Sequence, residues 1–87
     1  MSKTIVVNVR DGDYDVYIGR PSGWGNPYRI GRDGSRDDVI RKYRKWIMKQ
    51  PKLLARLSEL RGKRLGCWCH PKGCHGDVLV ELVNQLK

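Results

Sequence analysis

The chain has 87 residues, 39% of them hydrophobic, and carries 18 Lys+Arg against 9 Asp+Glu for a formal net charge of +9. A chain of this length predicts one domain spanning residues 1–87 with a modest core, and its three Trp and four Tyr exclude a featureless disordered polyelectrolyte. The charge favours acidic partners, whether nucleic acid, nucleotides or another phosphorylated ligand, and no stretch is apolar for long enough to span a membrane. The three cysteines are an odd number and the start, Met1-Ser2-Lys3, has no apolar leader, so no disulfide framework is expected and the expected setting is a reducing cytoplasm.

In chain order, residues 4–9 (TIVVNV) are β-branched and short, as a buried strand requires. Asp11-Gly12-Asp13 is a turn signal, and residues 14–18 then alternate, with Tyr14, Val16 and Ile18 on one face. Together they predict a hairpin over 4–18. Residues 19–32 have neither helical nor strand period but hold four glycines and two prolines. A structured loop of this length is more often functional than idle. Its contents suit an anion: glycines such as Gly25 allow close backbone approach, Arg20 can fork to a phosphate, and Ser22 and Asn26 add hydrogen bonds. Trp24 reads equally as a stacking platform for a base or as a lid on the core.

Ser35 is the expected cap of a helix whose apolar stripe is Val39, Ile40, Tyr43, Trp46 and Ile47. Its basic residues, Arg36, Arg41, Lys42, Arg44, Lys45 and Lys49, would either grip phosphates or form a solvated face. Pro51 opens a second helix with Leu53, Leu54, Leu57 and Leu60 toward the core, and Gly62 ends it. Residues 63–68 (KRLGCW) form a strand in which Gly66 signals close approach by another element. A last helix carries Val78, Leu79, Leu82, Val83 and Leu86. The order β-β-α-α-β-α gives a small three-stranded sheet covered by about three helices, an α/β fold with α+β as the runner-up.

Between that strand and the last helix lie all three cysteines and both histidines, within positions 67–75. Such a strand-to-helix handover is where open α/β sheets place ligands. Three readings compete. Cys67, Cys69, Cys74 and either His75 or His70 offer the donor set of a zinc site, although the spacing matches no standard finger, and neighbours such as Cys74 and His75 rarely share one ion. Alternatively, Cys74 or Cys69 is a nucleophile with His75 as acid or base. In that reading the N–H groups around Gly76 favour an anion, and Asp77 orients or caps. The third reading is structural, with Cys67 and Cys69 on one strand face as core.

Three segments, YIGRPSGWGNPY, GSRDDVIRKYRKW and ELRGKRLGCWCHPKGCHGDVLVEL, together resemble the domain-of-unknown-function 4326 family over residues 17–82. These are small proteins common in bacteriophages and also present in bacteria. The resemblance matches Arg20, Gly25, Asn26, Pro27, Cys67, Cys69, Cys74 and His75 to motif positions and puts His70 at a variable one. It implies a phage or prophage setting and a site, without an activity.

The expectation is therefore a site between the loop of Arg20 to Tyr28 and the loop of Cys67 to Asp77, taking a nucleotide or nucleic-acid phosphate. The alternatives are an enzyme on such a substrate with a Cys–His centre, and a host-interaction protein with a structural zinc.

Overall fold

The computed structural model describes residues 3–86, so the reading of the leader at Met1 and Ser2 lies outside it. The strands are β1 (Ile5–Asn8), β2 (Val16–Tyr17) and β3 (Arg64–Cys67), and the helices are α1 (Arg36–Ile47), α2 (Pro51–Leu54) and α3 (His75–Asn84). They form an α/β fold on one three-stranded sheet of order β1-β3-β2. Both pairings are parallel, with Ile5 opposite Arg64, Asn8 opposite Cys67 and Tyr17 opposite Gly66.

This corrects the expected hairpin. The turn at Gly12 exists, in left-handed backbone at φ 72°, but it closes a 3-10 turn over Val9–Asp11 instead of a β-hairpin. The connection then crosses β3 and sets β2 down on its far side. Gly66 makes the crossing possible: a Cβ there would lie 2.7 Å from the Tyr14 ring and 3.0 Å from Val9. Beyond the crossing, Asp15 donates its N–H to the Arg64 carbonyl at 2.8 Å and accepts the Arg64 N–H at 2.9 Å. Strand β3 is central and buried from Leu65 to Cys67, as both-face coverage requires.

One face of the sheet carries the helices. The α3 stripe of Val78, Leu79, Leu82 and Val83 is buried, as are Val39, Tyr43 and Ile47 of α1, with Ile40 and Trp46 packed against them. Gly76 brings α3 down onto the sheet, since a Cβ would meet Ile18 at 2.8 Å and Val6 at 2.9 Å. Ser35 caps α1 in a reciprocal box with Asp38. The expected second helix is broken: α2 lasts one turn, and Leu57–Leu60 form a 3-10 turn that still buries Leu57 and Leu60. Gly62, at φ 70°, ends that segment. The opposite face of the sheet carries Tyr14, Tyr17 and the residue 9–15 connection.

Candidate functional site

All three strands run in one direction, so their carboxyl ends share one edge. Cys67 ends β3, Tyr17 ends β2, and Cys74 caps α3 just beyond. At this edge lies an open cavity of about 520 Å³. One wall is built from Arg20, Asn26, Tyr28, Arg29 and Arg36, and the other from Cys67, Cys69, Cys74 and His75, with Tyr17 and Trp68 also lining it. The volume falls within the range of about 300–1,000 Å³ of small-ligand sites.

The arginine wall is braced through backbone. The buried Asn26 amide donates to the Val39 carbonyl at 3.1 Å and accepts the Tyr28 N–H at 2.9 Å, tying the loop to α1. Arg20 donates to the Asn26 carbonyl at 3.1 Å and Arg36 to the Gly73 carbonyl at 3.0 Å, which bridges the walls. Gly25 lets the loop fold over Arg20, whose backbone would be 3.1 Å from a Cβ there. Among the described residues no carboxylate pairs with Arg20, Arg29 or Arg36, and no Asp or Glu lines the cavity. Asp13, Asp15, Asp33, Asp38, Glu59 and Glu81 pair elsewhere, with Arg32, Arg41, Arg44, Arg56 and Arg64.

The opposite wall satisfies itself. The Cys67 and Cys74 sulfurs lie 3.0 Å apart in a shared hydrogen bond, with both residues buried. The Cys69 N–H also donates to Cys67, at 3.3 Å, and the Gly76 N–H to Cys74, at 3.3 Å. The hydrogen bond with Cys74 pulls the Cys67 thiol down to about 5, helped by the Cys69 N–H and opposed by burial. The same bond, together with burial, pushes Cys74 well above the ordinary thiol range. Cys67 is thus the more acidic sulfur of the pair. Asp77 accepts the Cys74 N–H at 3.1 Å and completes the cap of α3.

His75 is 8% exposed and its Nε2 lies 2.7 Å from the Ile18 carbonyl. A carbonyl only accepts, so Nε2 carries the hydrogen and Nδ1 keeps its lone pair. Burial lowers the imidazole pKa while the Ile18 carbonyl opposes it, which keeps the ring neutral at neutral pH. Cys67, Cys74 and His75 each place one ligand atom within 4.8 Å of the others and could hold a metal ion. Cys69, the expected fourth donor, lines the cavity but stands outside this cluster.

The structure separates other expected site residues from the cavity. Trp24 is 5% exposed, its carbonyl takes the Tyr43 hydroxyl at 2.7 Å, and the Arg56 guanidinium covers its ring at 5.8 Å. It is packed with the core, as in the lid reading, and does not line the cavity. Ser22 does not line the cavity, and its buried hydroxyl has no hydrogen-bond partner. Gly76 serves helix–sheet packing. Conversely, Arg29, Tyr17, Tyr28 and Trp68 line the cavity without having been singled out for it. Arg36 was recognised only as one cation among several on its helix.

Fold and site together define a small α/β protein with a cationic, thiol-bearing cavity at the carboxyl edge of a parallel sheet. The chain belongs to the family described as Domain of unknown function (DUF4326), whose model matches residues 5–85. It is 44% identical over 93% of its length to an uncharacterized 12.4 kDa protein in the nrdA-td intergenic region of Enterobacteria phage T4, covering 78% of that protein. It is also 38% identical over 84% of its length to the uncharacterized protein R718 of Acanthamoeba polyphaga mimivirus, covering 69% of it. No solved structure matches the chain. No helix among the described residues is long and apolar enough to cross a membrane.

Proposed function

We propose that this protein binds a phosphate-bearing ligand of nucleotide size, a free nucleotide or one residue of a strand, between the arginine wall and the thiol wall. The observation that carries this reading is that Arg20, Arg29 and Arg36 meet at a cavity with no Asp or Glu in its lining and have no carboxylate partner among the described residues. Three guanidinium groups against the single Cys67 thiol as an acidic group leave the cleft net positive, and an anion relieves that excess. The guanidinium fork matches phosphate oxygens in pairs. The exposed face of α1 supports a phosphate-backbone grip less well: Arg41 pairs with Asp38, Arg44 with Glu81, and Lys42 donates to the Asp33 carbonyl over the Tyr28 ring.

The test is calorimetric titration with a nucleoside monophosphate and with the parent nucleoside at low salt. The expected result is binding at one site per chain by the nucleotide, much weaker binding by the nucleoside, and an affinity that falls as salt is raised. Absence of binding by any nucleotide or short oligonucleotide at low salt would sink the reading.

A second reading, catalysis at the Cys–His centre, is favoured by the sulfur pair. It makes Cys67 the thiolate, with Cys74 as its proton-bearing partner, and puts that nucleophile on the wall facing the arginines. Rapid alkylation of one thiol below neutral pH, blocked by bound nucleotide, is its expected signature. Zinc is the metal whose chemistry suits two sulfurs and an imidazole with an open fourth position. Tetrahedral Zn–S bonds of about 2.3 Å would set the sulfurs about 3.8 Å apart. The present separation is 3.0 Å, closer than that spacing. Native mass spectrometry of protein purified without chelator decides between a zinc adduct and a metal-free dithiol.

A further inference from the structure

We propose that Trp68 is the base-stacking platform of the cavity, so that its ligand class is a planar nucleobase joined to a phosphate and not a sugar phosphate or an inorganic anion. The inference rests on the phosphate-binding reading above and deepens it.

Of the two tryptophans in the loops that frame the cavity, Trp24 is 5% exposed and away from it, while Trp68 is 59% exposed and lines it. A single exposed large apolar side chain is ordinary on a protein surface. This one is held in place. Its indole N–H donates to the Tyr17 hydroxyl at 3.1 Å, and that hydroxyl donates to the Arg20 carbonyl at 2.8 Å. Gly19 makes the relay possible, because a Cβ there would stand 2.5 Å from the Tyr17 hydroxyl oxygen. The Tyr17 ring leans on Tyr14 at 6.4 Å between centroids. From below, the Asn8 side chain donates to the carbonyls of both Trp68, at 3.3 Å, and His70, at 2.8 Å. The polar edge of the indole is thus satisfied by the protein itself while the residue stays 59% exposed at the cavity.

A ring immobilised before binding costs a stacking partner little in ordering. Stacking also accepts any base, since every base has a π-face. The relay ends on the carbonyl of Arg20, whose guanidinium belongs to the arginine wall. One residue therefore anchors both ends of the site, the aromatic end through its backbone and the anionic end through its side chain.

The experiment compares a nucleoside monophosphate with ribose phosphate, by titration into the wild type, Trp68→Ala, Tyr17→Phe and Arg20→Ala. The wild type should prefer the nucleotide. Trp68→Ala should weaken the nucleotide by between about 5- and 150-fold and leave ribose phosphate unchanged. Arg20→Ala should weaken both ligands. Tyr17→Phe keeps both rings and removes only the relay, so it should weaken the nucleotide alone and by less; it also serves as the readout if Trp68→Ala does not fold. Equal affinity of the wild type for the two ligands, or equal losses for both in Trp68→Ala, overturns the stacking role while the phosphate site stands. If the wild type binds neither, the phosphate reading falls and this inference falls with it.

Discussion

The two walls of the cavity are built on opposite rules. On the thiol wall the buried groups are answered within the protein: the Cys67 and Cys74 sulfurs by each other and by the Cys69 and Gly76 N–H groups, His75 Nε2 by the Ile18 carbonyl, and the Cys74 N–H by Asp77. On the arginine wall the backbone is answered, but the guanidinium groups of Arg20, Arg29 and Arg36 lack a carboxylate among the described residues. A self-satisfied cluster is a store of chemistry, and an unsatisfied one is a place for a partner. The contrast assigns attachment to the arginines and reactivity to the sulfurs.

The largest effect that could break this contrast is on binding. Each charge-assisted hydrogen bond contributes about 1.5–3 kcal/mol, so each of Arg20→Ala, Arg29→Ala and Arg36→Ala should cost nucleotide affinity about tenfold to a hundredfold, and the triple variant should not bind measurably. Its melting temperature should stay near that of the wild type, because these side chains do not fill the core. A triple variant that binds as well as the wild type would place the ligand elsewhere.

The next effect is on pH dependence and belongs to the sulfurs. An unfolded cysteine titrates near 8.5. In the folded protein Cys67 titrates at about 5 and Cys74 above the ordinary range. Between about 5 and 8.5 the unfolded chain therefore binds one more proton than the folded one, and stability should rise with pH. Above that window the unfolded chain releases the Cys74 proton that the folded protein keeps, and stability should fall. Chemical denaturation across this range checks the sign at both ends, and Cys67→Ala should flatten the rising limb.

The smallest effect is on the cap. Cys74→Ala removes the side chain at the N-cap of α3 and should cost about 0.5–2 kcal/mol. It should also return Cys67 to slow alkylation at acidic pH, since the partner that lowers its pKa is gone. Unchanged reactivity of Cys67 in that variant would show that the sulfurs do not act as a pair.

Much of this was legible in the residues. The thiols and histidines lie next to one another in sequence, so their clustering required no tertiary knowledge, and the periods of α1 and α3 marked their buried faces. Gly66 announced a close approach, and the structure supplies the element that makes it, the β1–β2 connection. The strand partners were not legible. The alternation of residues 14–18 specifies a half-buried strand but not which neighbour it pairs with, and the hairpin was the shorter of two ways to satisfy it. The leucines of residues 53–60 fit a helix, yet a broken helix buries Leu57 and Leu60 equally well. Trp24 read equally as a platform or a lid for a similar reason: only the packing of Tyr43 and Arg56 around it decides that it is buried. Arg29 and Arg36 are indistinguishable in sequence from the rest of the 18 basic residues, because what sets them apart is their place at the cavity.

The measurement that bears most directly on the central claim is a nuclear magnetic resonance titration of the protein with a nucleoside monophosphate at moderate salt, following arginine side-chain N–H and backbone signals. The account predicts saturable shifts at Arg20, Arg29 and Arg36 and along residues 67–75, with Lys45 on α1 and Lys49 just beyond its end unmoved. Shifts concentrated on the basic face of α1, or spread without saturation over the surface lysines, would contradict it and reduce the +9 charge to a solvated exterior.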